Sequence, residues 1–202
     1  MRRPVAVAFS ALACAACHKQ PPVDPSSQPQ SRTARRASIE MLRRSFPVVF
    51  GNDLAGQPIT WMVSSTKTGF DAYSRALGEA DYADVVDENI DPSPLYVKFI
   101  DDAARDACSK VLAADAQRSA RTLVKYAALT DTPQGAPAAI DRNLRYLRLR
   151  FHGLFVAPAD DAPIAGLRQL LTDAIAVNGG SVTEGWRAVC VALVTAPEFS
   201  LY

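Results

Sequence analysis

From residue 38 onward, apolar residues recur at steps of three and four, the spacing that lines one face of an α-helix. The longest stretch is DPSPLYVKFIDDAARDACSKVLAADAQ, residues 91–117. Val97, Ile100, Ala104, Ala107, Cys108, Val111 and Leu112 form its apolar stripe, while Asp101, Asp102, Arg105 and Asp106 fall mostly opposite. Ser93 predicts an N-cap, and Pro94 suits a first turn, where no N–H is needed. A second helix is predicted from Pro137 to Phe151, with Ile140, Leu144, Leu147 and Phe151 inward and Arg142, Arg145 and Arg148 outward. Residues 160–180 show complete helix punctuation: an acidic start, Pro163, an apolar stripe and a Gly179-Gly180 stop. In residues 181–202, Ser181 with Glu184 spells a capping box. Trp186, Val189, Cys190, Leu193 and Val194 form the buried side of that helix, and Pro197 ends it.

The remaining signals are weaker. Residues 38–46 predict a short helix that stops before Pro47, and 51–60 is rich in turn formers. Residues 61–69 suit either a brief strand or a loop. Residues 70–78 predict a helix ending at Gly78, and 120–130 one that runs into a loop with Pro133 and Gly135. Helical segments far outnumber candidate strands, so the expected fold is all-α: an irregular bundle of about five to seven helices over residues 37–202.

The first 36 residues break this pattern. Met1-Arg2-Arg3 is a positive n-region and PVAVAFSALA (4–13) an uncharged apolar segment, the anatomy of an export signal. Ala11-Leu12-Ala13 before Cys14 resembles the lipobox of bacterial lipoproteins, and Cys17 is the alternative processing site. The expectation is a signal peptide over 1–13, acylation of Cys14 (or Cys17), and a Pro/Ser/Gln-rich tether over 14–36. Such a chain is held at the membrane by its lipid, on the periplasmic side of the envelope and at the outer membrane. No apolar run approaches the ~18–20 residues that span a bilayer.

The same cysteines support a competing reading. Cys14-Ala15-Ala16-Cys17-His18 is C-x-x-C-H, the attachment pattern of haem c. A sulfur thioether-bonded to diacylglycerol cannot also bond a haem vinyl group. Haem also needs a packed pocket and a second axial ligand. The residues after His18 are polar and proline-rich, the other histidine is the distant His152, and Met41 and Met62 lack a supporting pattern. The lipid reading leads; a small c-type cytochrome on Cys14, Cys17 and His18 is the alternative.

Composition narrows the function further. With 202 residues, 49% hydrophobic, the chain can bury one real core. A formal net charge of +1 argues against nucleic acid as a partner. Cys108 and Cys190 lie on apolar helix faces; an oxidising compartment favours their pairing, and two buried thiols are the alternative. Glu79, Asp81, Asp84, Asp87, Glu88 and Asp91 are dense in oxygen but lack the spacing and central glycine of a calcium loop. Arg142, Arg145 and Arg148 offer a possible anion-binding face, although such spacing is usually a solvated helix side. His152 is a general-base candidate without a positioned nucleophile, and no G-x-S-x-G, H-E-x-x-H or phosphate loop occurs. No metal site and no catalytic residue is expected. An envelope enzyme would need His152 beside the 79–91 carboxylates.

The C-terminal residues carry a family resemblance. Tyr146 to Phe151, Asp160-Asp161, Leu167 to Ala174, and the ending Ala196-Pro197-Glu198-Phe199-Ser200-Leu201-Tyr202 follow one another in order. In this they resemble the C-terminal helical module of proteins associated with planctomycete-type cytochrome c domains. SPLYVKFIDDAA is similar to a piece further upstream in those proteins. The resemblance implies a helical accessory part of a cytochrome-c-associated, extracytoplasmic system, docked on a protein partner there. It transfers no catalytic residue, and the haem domain of the family's larger members has no counterpart here. The sequence thus predicts an exported, non-catalytic, membrane-anchored helical lipoprotein.

Overall fold

The computed structural model describes residues 35–80, 83 and 87–201. These form α-helices joined by turns and isolated bridges: α1 (Ile39–Phe50), α2 (Gly69–Ala72), α3 (Pro94–Asp115), α4 (Pro137–His152), α5 (Ala162–Val177), α6 (Val182–Thr195) and α7 (Pro197–Ser200). The all-α expectation holds. The export signal, Cys14, Cys17, His18 and most of the tether lie outside the described residues.

Helix α3, at 22 residues, is the longest of the described helices. The Ser93 hydroxyl accepts from the Tyr96 N–H at 3.1 Å, and Pro94 opens the first turn, as its sequence predicts. The buried stripe is Tyr96, Ile100, Ala104, Ala107, Cys108, Val111 and Leu112. Val97, expected inside, is 59% exposed and Tyr96 takes its place. Four-residue steps from Tyr96 reach Ile100, Ala104 and Cys108, so the stripe begins one residue earlier. Alanines at 103, 104 and 107 let α6 come close, and the Cys108–Cys190 disulfide joins the two helices with Cα atoms 5.9 Å apart. Helix α6 then packs on α5, and α5 on α4. At Gly185 a Cβ would stand 2.6 Å from Ile175 and 2.9 Å from Leu171, so α5 and α6 meet where no side chain fits. Ser181 caps α6 by accepting from Glu184 N–H at 3.3 Å.

Three expectations change. Helix α1 does not stop at Pro47 but runs on to Phe50. A proline inside a helix costs about 3 kcal/mol. Phe46 and Phe50 on either side of it are fully buried, each contributing about 1.5–3 kcal/mol. Phe46 meets Phe70, Phe50 and Phe199, and Phe50 meets Phe151, with ring centroids 5.0–5.9 Å apart. Burial therefore outweighs the lost hydrogen bond. Of residues 70–78 only the first turn is helical, after which the chain turns and reaches Gly78 at φ +86°. Residues 120–130 form no helix at all.

The reason lies in two buried polar side chains. Asp115, completely buried at the end of α3, accepts from the N–H groups of Thr122, Leu123 and Val124 at 2.7, 2.7 and 2.9 Å. Asn143, equally buried on α4, accepts from Tyr126 N–H at 2.9 Å and donates to Leu123 O at 3.1 Å. Backbone groups that a helix would have paired internally are held by side chains instead.

The two ends of the body meet. Arg36 and Leu201 form an antiparallel bridge, and Ala37 N–H donates to Ser200 O at 2.7 Å. Arg36 was expected in the tether, yet it is 1% exposed, 3.2 Å from Glu88 and over the Tyr96 ring at 5.1 Å. Its charge is neutralised inside, so the body begins one residue before 37.

Candidate functional site

His152 ends α4. Its Nε2 lies 2.7 Å from Leu193 O and its Nδ1 2.7 Å from Arg148 Nη1. A carbonyl only accepts and a guanidinium only donates, so Nε2 carries the hydrogen and Nδ1 the lone pair. Both ring nitrogens are spent on the fold: the imidazole ties α4 to α6 and steadies Arg148. Among the described residues, neither ring nitrogen has a hydroxyl or thiol as its hydrogen-bond partner.

The acidic stretch is separately engaged. Glu79 receives Arg43 Nη1 at 2.7 Å and Nη2 at 3.2 Å. The Arg43 guanidinium holds the Glu79 carboxyl below its ordinary range and is itself raised by that bond. Glu88 accepts from Ile39 N–H at 3.0 Å, satisfying the first turn of α1, and from Arg36. Asp81 and Asp84 lie outside the described residues. His152, bonded to Arg148 and Leu193 O, shares no hydrogen bond with Glu79 or Glu88, which are held by Arg43, Arg36 and Ile39 N–H. Among the described residues, no group of three His, Cys, Asp or Glu side chains could hold a metal ion.

The three arginines of α4 do not act as one face. Arg145 reaches Pro158 O at 2.9 Å and is ion-paired with Asp161. Arg148 stands 3.9 Å from Glu198 and against His152. Their side chains are 17% and 16% exposed. Only Arg142 points outward, its guanidinium 4.2 Å above the Tyr126 ring. The sequence shows the spacing of these residues but not that the 158–161 turn and α7 fold back to neutralise two of them.

A groove of about 510 Å³ lies between α3, α5 and α6. Leu170, Val191 and Ala192 give it apolar walls, and its charges cancel in pairs: Arg105 with Asp101 at 2.8 Å, and Arg187 with Glu184. Among the described residues its lining has no histidine or cysteine, and its two carboxylates are each ion-paired with an arginine. A smaller apolar recess of about 130 Å³ lies between Tyr96, Val97, Ile100, Pro197 and Leu201. The Tyr96 hydroxyl donates to Ser200 O at 3.2 Å, and burial pushes its pKa up to about 12. It is a fixed neutral donor closing the C-terminal turn.

Sequence reasoning missed Asp115 and Asn143. A signal existed, because both fall on apolar stripes: Asp115 four residues after Val111, and Asn143 three after Ile140 and four before Leu147. A polar side chain at an inward position has to find its partners within the core. Compared with known proteins, the chain matches no family model, no curated protein and no solved structure.

Proposed function

We propose that this protein is an exported lipoprotein, acylated on Cys14 (or Cys17), whose helical body serves as a non-catalytic binding or accessory component in the cell envelope. The observation that carries the reading is the Cys108–Cys190 disulfide, buried between α3 and α6. Such bonds form and persist in oxidising compartments, and the n-region, apolar segment and lipobox-like ALAC at 11–14 supply the route to one. The engaged state of His152, Glu79 and Glu88 supports binding over catalysis. The resemblance of the C-terminal helices points to a cytochrome-c-associated, extracytoplasmic protein partner. Metabolic labelling with palmitate in a bacterial host tests the anchor. Label in the membrane fraction, lost in Cys14→Ser or, if Cys17 is used, in Cys17→Ser, is the expected result. An unlabelled chain with haem absorbance would instead establish the C-x-x-C-H alternative.

A further inference from the structure

Most cations of the body are answered by a carboxylate: Arg36 by Glu88, Arg43 by Glu79, Lys98 by Asp102, Lys110 by Asp106, Arg145 by Asp161, Arg168 by Asp141. Arg118, Arg121, Lys125, Arg142 and Arg150 have no such partner among the described residues, and their contacts join them into one surface. Arg118 donates to Asn52 O at 2.7 Å, and Arg121 spends its guanidinium on the carbonyls of Asp115 and Ala127. Lys125 Nζ lies 5.4 and 5.3 Å from the rings of Tyr126 and Tyr146. Arg150 is 5.9 Å from the Tyr146 ring and donates to Val49 O at 2.6 Å and Val48 O at 3.1 Å. The Tyr146 hydroxyl donates to Thr122 O at 2.9 Å, closing the circuit.

Acids near this surface are otherwise committed. Asp115 is buried under three N–H groups, Asp131 accepts from Ala128 N–H at 2.7 Å, and Asp53 accepts from Ala55 and Gln57. Arg142, Tyr146, Leu149 and Arg150 follow at i, i+4, i+7 and i+8, one stripe of α4. Beside the cations stand exposed aliphatic groups, Leu149 at 49% and Val48 at 75%.

We propose that this side of the body docks on an anionic phospholipid membrane. Long cations with apolar stems, half-buried tyrosines and exposed aliphatic residues on one surface are the combination that sits at headgroup depth, cations reaching phosphate and aliphatic groups entering the acyl boundary. Nucleic acid fits less well. The tyrosine faces are covered by Arg142, Lys125 and Arg150, and the rings meet edge to face, so no open ring awaits a base. The proposal rests on the envelope reading for the presence of a bilayer, but not on acylation.

The test uses the full chain with Cys14→Ser and Cys17→Ser, which cannot be acylated, sedimented with vesicles of phosphatidylcholine alone or with a quarter phosphatidylglycerol. Binding should favour the anionic vesicles, fall with salt, and weaken roughly tenfold or more in Lys125→Glu/Arg142→Glu. Arg35, next to the Arg36–Leu201 bridge, and Lys67, in the turn where its N–H donates to Ser64 Oγ, make none of the contacts that build this surface. Arg35→Glu/Lys67→Glu therefore changes the net charge equally and should bind as the parent does. If the face variant fails to fold, Lys125→Gln/Arg142→Gln replaces it with the same expected direction. Equal loss in both double variants, no preference for anionic vesicles, or face-dependent binding of duplex DNA in place of vesicles would overturn the proposal.

Discussion

At the scale of single residues, the polar groups inside the body decide its shape as much as the apolar ones. Asp115 satisfies three N–H groups that have no other partner, and hydrogen bonds to a charged acceptor are the strong ones. Asp115→Asn keeps the volume but faces its NH₂ toward those donors. It should lower unfolding stability by about 2–4 kcal/mol in urea melts, far more than a surface Asp→Asn. Glu79 gives a pH signature. Its folded pKa lies below the unfolded value because Arg43 holds the carboxylate, so its contribution is present above the ordinary glutamate range. That contribution fades as pH falls through the folded value. Stability curves of the parent and Glu79→Gln should therefore differ near neutrality and converge in acid; curves that stay parallel would contradict the pairing. The donors to Asp115 lie only seven to nine positions further along, in a stretch whose periodicity reads as a helix, whereas the Arg43–Glu79 pair was not legible because its members are far apart in the chain. Glu79 lies 36 positions from Arg43.

At the scale of elements, sequence grammar worked where local signals and packing agree. Helices α3 to α6 begin and end close to where caps, prolines and the glycine pair place them, because each has an apolar stripe long enough to dominate. It failed at 120–130, where Leu123, Val124 and Ala127 are buried as a helical pattern suggests but in a loop wound around Asp115 and Asn143. It failed at Pro47 for the opposite reason, since burial of Phe46 and Phe50 carries the helix through a residue that normally stops one. Two changes test the α3–α5–α6 core. Replacing both Cys108 and Cys190 by Ala opens a crosslink across a sequence separation of 82. By the chain-entropy model this should cost about 4–5 kcal/mol, read as a lower melting temperature in the oxidised but not the reduced protein. Gly185→Ala should cost about 1–3 kcal/mol although alanine is the better helix former, because its methyl enters space held by Ile175 and Leu171. A stabilised Gly185→Ala would show that the α5–α6 contact is looser than described.

At the scale of the whole molecule, the all-α class and the Cys108–Cys190 partnership could be anticipated from the chain, the second only as one of two outcomes. The charge arrangement could not. A net charge of +1 argues against a polyanion partner, yet it averages over a surface on which Arg118, Lys125, Arg142 and Arg150 gather without a carboxylate partner among the described residues, while most other cations are ion-paired. The Arg142, Arg145 and Arg148 triplet suggested in the sequence has one outward member, and that member belongs to the tyrosine-bearing surface instead. The central claim is that the chain is exported, cut before Cys14 or Cys17 and fatty-acylated there, leaving the disulfide-tied body outside the cytoplasm. Intact mass of the mature protein from membranes of a bacterial host tests this most directly. The account predicts a polypeptide starting at one of those cysteines, heavier by a diacylglyceryl group and an acyl chain, and lighter by two hydrogens for the closed disulfide. A full-length chain beginning at Met1, unmodified and with free thiols at Cys108 and Cys190, would contradict it.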